Sequence, residues 1–129
     1  MELDERAVKF HTLGNSLLAE KKYNDAITQY MKAVEIEPRY ASAFYHLAEA
    51  YEAKRLDDKS IAFYLKAIEL NPSFAEIHIQ SGLDTLIAGP LGAAVAEYKK
   101  RKTGGDAAGQ TPPAETGAQP TPLKAGAPP

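Results

Sequence analysis

Apolar residues recur at helical spacing through most of the chain, separated by short polar segments. In the first stretch they are Phe10, Leu13, Leu17 and Leu18, and in the second they are Ala26, Ile27, Tyr30, Ala33 and Val34. Spacings of three and four residues place such side chains on one face of an α-helix. Asn24 and Asp25 supply capping and acidic first-turn residues for the second helix, and Pro38 ends it because proline cannot donate a backbone hydrogen bond. The pattern predicts a pair of amphipathic helices.

The same order of residue classes returns 34 residues later. Residues 7–40 and 41–74 align throughout, including the pairs Ala7 and Ala41, Phe10 and Phe44, Leu13 and Leu47, Tyr30 and Tyr64, Ala33 and Ala67, and Pro38 and Pro72. Small residues allow the helices of a unit to approach closely, and they are Gly14 and Ala26 in the first unit and Ala48 and Ser60 in the second. A fixed period of this length is typical of stacked helical repeats. The two units predict two consecutive helical hairpins.

Residues 75–102 follow the same period less closely. Four positions keep the residue class of the first unit, namely Gly82, Ala94, Val95 and Tyr98. Four positions depart from it, namely His78, Ser81, Thr85 and Arg101, and there is no closing proline. Terminal repeats are atypical because their outer face meets water. We therefore expect a degenerate third unit that caps the first two, with its two helices separated at Gly89 and Pro90.

The residue order of the two close units resembles the tetratricopeptide repeat family. Each has an aromatic residue, then Leu-Gly or Leu-Ala, then a small residue, a second aromatic residue, another alanine and a closing proline. The resemblance implies an all-α fold, a right-handed α-solenoid of about six helices in antiparallel pairs over residues 1–102. It also implies a non-catalytic protein interaction module, an adaptor, scaffold or cochaperone-like protein that binds a peptide or partner helix in a concave groove.

In that family the first helices of successive units line the groove. The corresponding positions in this chain are His11, Asn15, Leu18, Tyr45, His46, Glu49, Glu52, Glu76, Ile79, Gln80 and Leu83. Aromatic and aliphatic side chains beside three carboxylates suit a neutral or basic segment that carries apolar anchors. The resemblance therefore predicts a protein or peptide partner of this chemistry, and the exposed end of the solenoid offers a surface for self-association.

Some cochaperones of the family hold a peptide's C-terminal carboxylate with a clamp of lysine, arginine and asparagine. In this chain only Asn15 matches that clamp. His11 and His46 replace one lysine and one asparagine, while Glu76 and Gln80 replace a lysine and an arginine. A carboxylate placed beside Glu76 would be repelled, since like charges in a partly dry groove raise each other's energy. The clamp is broken, and an acidic C-terminal ligand is not expected.

Charge is distributed unevenly along the chain. Residues 1–98 hold 10 basic and 15 acidic side chains, a net charge of −5, and Lys99, Lys100, Arg101 and Lys102 follow them. Cations at the end of a helix complement its dipole, which is the simplest interpretation of this run. The alternative is a basic patch through which the helical repeats bind nucleic acid or an anionic surface. The acidic body of the chain favours the first interpretation.

No motif for catalysis, a cofactor or a metal is present in the sequence. The chain has no cysteine, no phosphate-binding glycine loop, no nucleophile elbow and no HExxH element. Stacked helices could bring His11 and His46 together, but two histidines without a third ligand fall short of a metal site. We expect no enzyme activity, cofactor or metal. The charged first residues and the lack of a long apolar run predict a cytoplasmic protein without a membrane span.

Residues 103–129 have a different composition. Glycine, proline and alanine account for 17 of these 27 residues, and Leu123 is the sole large aliphatic residue. Such a composition cannot bury enough apolar surface to form a core. We therefore expect a disordered tail after the helical domain.

Overall fold

The computed structural model describes residues 2–82 and 87–103, and these ranges form six α-helices and no strand. The helices are α1 Glu5–Ala19, α2 Tyr23–Ile36, α3 Ala41–Ala53, α4 Asp57–Leu70, α5 Ser73–Ser81 and α6 Gly89–Thr103. None of the helices in these ranges is long and apolar enough to cross a membrane. Apart from Thr103, the predicted disordered tail lies outside the described residues.

The first four helices form the two predicted hairpins. α1 packs against α2 and α3 against α4, and α2 also packs against α3, so the second unit lies directly on the first. α2 ends at Ile36, two residues before Pro38, and α4 ends at Leu70, two residues before Pro72. The prolines end these helices because they lack the N–H that the next helical turn requires.

The start of α2 differs from the sequence prediction. Asn24 lies inside the helix and does not cap it, because α2 begins at Tyr23 and Lys22 occupies the N-cap position without a side-chain hydrogen bond. The Asn24 side-chain oxygen instead accepts a hydrogen bond from the Lys54 ammonium, at the end of α3. Asn24 therefore connects the turn of the first unit to the turn of the second.

The turn between the two helices of a unit has the same backbone geometry in both close units. Lys21 and Arg55 each have φ of 65°, in the left-handed region. In the first turn the Lys21 N–H donates to the Leu18 carbonyl and the Lys22 N–H to the Leu17 carbonyl, both at 2.9 Å. This is a Schellman motif, in which the left-handed residue is usually glycine because a Cβ atom is strained there.

Glycine at this left-handed position is expected to stabilise the protein. We predict that Lys21→Gly and Arg55→Gly each raise the free energy of unfolding by about 0.5–1 kcal/mol, by relieving the strained left-handed backbone. Urea unfolding followed by circular dichroism measures the change. Lys22→Gly is the matched control, because Lys22 has φ of −92° and gains nothing from glycine. A loss of stability in both Lys21→Gly and Arg55→Gly would contradict the prediction.

Buried side chains form two clusters. The first joins units 1 and 2 and includes Tyr30, Tyr40, Phe44 and Leu47. The second includes Tyr64 and Ile68 of unit 2 together with Ala75, Ala94 and Val95 of unit 3. Because α5 and α6 both contribute to the second cluster, the third unit covers the apolar side of the second.

Leu13 is more exposed than its helical pattern suggests. It is 47% exposed, whereas its counterpart Leu47 is 0% exposed. Leu47 is buried in the cluster that joins the first two units. Leu13 has no preceding unit against it within the described residues, so the same residue type at the same repeat position faces outward.

The third unit departs from the other two at Gly82. Gly82 is the counterpart of Gly14, which packs inside a helix, but Gly82 ends α5 as a C-cap with φ of 77°. α5 therefore has only 9 residues, compared with 15 in α1 and 13 in α3. α6 begins at Gly89, with Pro90 in its first turn, and it continues to Thr103.

Candidate functional site

Two histidines connect the first helices of units 1 and 2. His11 of α1 and His46 of α3 are 35 residues apart, one more than the repeat length, and His11 Nε2 lies 2.9 Å from His46 Nδ1. The other nitrogen of His11, Nδ1, is 2.8 Å from the hydroxyl of Tyr40, which is buried between α2 and α3. We call Tyr40, His11 and His46 the histidine network. Two of its members, His11 and His46, are predicted groove residues in direct contact.

The histidine network continues toward a carboxylate. The free nitrogen of His46, Nε2, is 3.8 Å from Glu49 Oε1, one helical turn further along α3. Both rings are satisfied when Tyr40 donates to His11, His11 donates to His46, and the remaining N–H of His46 points toward Glu49. In this arrangement each neutral ring uses one nitrogen as donor and the other as acceptor.

Tyrosines of the second helices form hydrogen bonds with side chains of the first helices. Three hydroxyls at one repeat position donate to side chains on the first helix of their own unit, and these pairs are Tyr30 to Asn15 at 2.6 Å, Tyr64 to Glu52 at 2.7 Å and Tyr98 to Glu76 at 2.8 Å. The sequence analysis counted Tyr30 among the apolar helix positions and did not predict these hydrogen bonds. The regular spacing of the tyrosines was the available signal, since a buried tyrosine usually finds a partner for its hydroxyl.

Tyr45 lies between units 2 and 3. Its ring is 5.1 Å from the ring of Tyr64 and 4.9 Å from that of Phe74, which stacks on it at 28°. Phe74 lies in the first turn of α5, so Tyr45 forms part of the contact between α3 and α5. This half-buried aromatic side chain gives the α3 face an apolar surface directly beside its carboxylates.

Glu49 and Glu52, the α3 acidic pair, affect the electrostatics of this face. Burial raises the pKa of Glu49, a shift that His46 opposes and Glu52 reinforces. Burial also raises the pKa of Tyr45, with further contributions from the two carboxylates. Both shifts mean that a negative charge on this face is costly, and for Glu49 the neighbouring His46 offsets only part of that cost.

Burial also disfavours a charge on the histidine network. Desolvation lowers the pKa of His11 to about 4, and the neighbouring His46 contributes to the shift. Both effects act in one direction, since a positive charge on His11 would lose water and face a second imidazole. His11 is therefore neutral at physiological pH.

The remaining predicted groove residues have different surroundings. Leu18 packs against the first core cluster and Ile79 against the second, while Gln80 of α5 is exposed. Leu83 lies outside the described residues. Direct contacts thus join His11, His46 and Glu49, while Asn15, Glu52 and Glu76 each bind a tyrosine of their own unit.

The basic patch Lys99, Lys100, Arg101 and Lys102 occupies the end of α6, and its side chains are exposed. Cations in a last helical turn complement the helix dipole. Binding of nucleic acid or an anionic surface by this patch stays a prediction. Within residues 2–82 and 87–103, no group of three or more histidine, aspartate or glutamate side chains is placed to hold a metal ion.

Sequence and structure comparisons agree with the helical-repeat pattern. A family profile described as "TPR repeat" matches residues 14–54, and one described as "Tetratricopeptide repeat" matches residues 41–74. The crystal structure of the Sgt2 TPR domain from Aspergillus fumigatus is similar, with a TM-score of 0.56 and 20% identity over 88% of this chain and 89% of that chain. No match was found among curated protein sequences. The predicted all-α helical-repeat fold is confirmed.

Proposed function

Because this chain is a tetratricopeptide repeat protein, we propose that it is a non-catalytic module that binds a neutral or basic segment of a partner protein. The proposed binding surface is the groove lined by the first helix of each unit, and α3 lies at its centre. The observation that carries the proposal is the state of the Glu49 carboxylate. It is half-buried, its pKa is raised, and no lysine or arginine of the described residues pairs with it.

Charge on the α3 face favours a basic group in the partner. An ammonium or guanidinium group near the α3 acidic pair would offset two carboxylates that the protein itself leaves without a strong cation. A charge pair in a partly desolvated site is stronger than one at an open surface. An acidic peptide would add a third negative charge to the same place and would be repelled.

Apolar contacts on the same face supply the second part of the proposed recognition. Tyr45 and Ile79 are half-buried and lie on α3 and α5, where they border the second core cluster. Large side chains of this kind serve as anchors at interfaces because they bury apolar area with few rotatable bonds. A partner segment that alternates a basic group with an apolar side chain matches both features.

The test is a pair of substitutions on α3. Tyr45→Ala together with Glu49→Lys is expected to weaken binding of the physiological partner at least tenfold, which corresponds to about 1.4 kcal/mol. Partners are captured from native extract with the full chain and identified by mass spectrometry, and their affinities are then measured by isothermal titration calorimetry. Binding of every captured partner at unchanged affinity would refute the proposal.

Glu35→Lys is the matched control for this experiment. Glu35 lies on the exposed side of α2, and its substitution makes the same change in net charge as Glu49→Lys. If both substitutions weaken binding equally, the effect comes from net charge and not from the α3 face. A role as a cytosolic adaptor or scaffold, and self-association through the exposed end of the helical stack, stay predictions.

A further inference from the structure

The histidine network has a property that does not depend on the identity of a partner. We propose that the contact between His11 and His46 makes the junction of units 1 and 2 acid-sensitive, because the contact accommodates one hydrogen between the rings but not two. The proposal goes beyond partner binding, since it concerns how the two units hold together. It rests on the 2.9 Å approach of His11 Nε2 to His46 Nδ1 and the 2.8 Å approach of Tyr40 to His11 Nδ1.

Counting hydrogens shows why the contact depends on protonation. With both rings neutral, the Tyr40 hydroxyl donates to His11 and the His11 Nε2–H donates to His46 Nδ1. One added proton places an N–H on His11 Nδ1, so the Tyr40 hydroxyl must turn and accept instead of donating. A second added proton places hydrogens on both nitrogens of the 2.9 Å contact. Two donors then face each other, and the rings must separate.

Titratable groups on the neighbouring elements do little to compensate for the added charge. From α2, the ring of Tyr30 lies 5.8 Å from the rings of both histidines. Tyr40 faces His11 from the connection between α2 and α3, and Tyr45 lies beside His46 on α3 itself. Glu49 contacts the network through His46 and does not face His11.

Burial of His11 also makes the junction of units 1 and 2 sensitive to acid. Desolvation, with a smaller contribution from His46, lowers the pKa of His11 to about 4, compared with about 6.5 for a free imidazole. The unfolded chain therefore binds a proton at His11 before the folded chain does. Stability from this group is fully present above about pH 6.5 and is lost as the pH falls toward 4. Glu49 acts in the opposite direction, because its raised pKa lets the folded state take up a proton first.

Nuclear magnetic resonance of the unsubstituted full chain tests the proposal directly. The ring nitrogens of the three histidines are followed from pH 7.5 to 4.5, together with nuclear Overhauser contacts between His11, His46 and Tyr40. We expect the His11 ring to stay neutral at pH 5 while these contacts persist. Full protonation of both His11 and His46 at pH 5, with the contacts intact, would overturn the proposal.

Unfolding of substituted chains gives an independent result. Between about pH 6 and pH 5, His11 is expected to raise the unfolding equilibrium constant by up to tenfold per pH unit. His11→Asn removes this contribution, so its stability in urea should fall less over that interval than the stability of the unsubstituted chain. His78→Asn is the control, because His78 lies on α5, outside the network. An identical pH dependence in the unsubstituted chain and in His11→Asn would overturn the proposal. If His11→Asn does not fold, the spectroscopic titration decides.

Discussion

Tyr30→Ala is expected to lower the free energy of unfolding by about 3–5 kcal/mol, the range for truncating a large buried aromatic side chain. Tyr30 is the largest of the fully buried side chains. Its ring fills the space beside Gly14, its hydroxyl donates to Asn15, and it lies against both histidines of the network. A loss of this size is a large part of the roughly 5–15 kcal/mol that stabilises a small domain. Helix content measured by circular dichroism against urea gives the change.

Two further substitutions separate the contributions of the Tyr30 ring and its hydroxyl. Tyr30→Phe keeps the ring and removes one hydrogen bond, so a loss of about 1 kcal/mol is expected. Tyr23→Ala truncates a partly exposed tyrosine at the start of the same helix and should cost much less than Tyr30→Ala. Equal losses for Tyr30→Ala and Tyr30→Phe would show that the ring contributes little, contrary to its complete burial.

Gly14→Val is expected to lower the free energy of unfolding by about 2–3 kcal/mol, because added volume in a packed core forces neighbours out of place. A Cβ atom at Gly14 would lie 2.6 Å from Cε1 of Tyr30, well inside contact distance. The Tyr30 ring is completely buried and cannot swing into solvent, so α1 and α2 must separate. Thermal and urea unfolding of the full chain measure the loss.

The second unit provides the matched comparison for Gly14. Its counterpart is Ala48, which is completely buried near Tyr64, so a hairpin of this type can hold a single methyl group. Gly14→Ala should therefore cost less than Gly14→Val, since the gain in helix propensity of about 1 kcal/mol offsets part of the crowding. Ala48→Val crowds the second hairpin in the same way. A Gly14→Val chain as stable as the unsubstituted chain would show that α1 and α2 are not closely packed.

Periodicity predicted the first four helices because it records which faces are buried. The repeat of 34 residues, the small residues at Gly14 and Ala26 and the prolines at 38 and 72 all agree with the structure. The αL turns at Lys21 and Arg55 could not be predicted in this way, because lysine and arginine give no signal of a left-handed backbone. Their geometry follows from the short connection between two packed helices.

The third unit was harder to predict from the sequence. Gly82 stands where Gly14 stands in the first unit, but it has no buried tyrosine ring to pack against and adopts the left-handed conformation that ends α5. One glycine permits either outcome, and only the tertiary contacts select between them. This explains why residue class alone did not reveal the short helix.

The candidate site was predictable in its positions but not in its hydrogen bonds. Stacking of the first helices correctly indicated that His11 and His46 lie close together. It did not identify Tyr40 as the partner of His11, because Tyr40 lies between helices and depends on how α3 meets α2. The roles of the groove residues in binding stay predictions.

Among the described residues α1 lies at one end of the stack, and this end can serve as a starting point for protein design. In the second unit, three side chains of α3 and its N-cap position are buried, namely Tyr40, Ala43 and Ala50. In the first unit the counterparts are Arg6, Lys9 and Ser16, all exposed.

Three substitutions at these positions would turn the polar face of α1 into the kind of surface that α3 already presents. An additional helical hairpin placed before α1 would then bury Leu13 as Leu47 is buried. The stack would gain one unit, and the groove would gain one first helix without any change to α3.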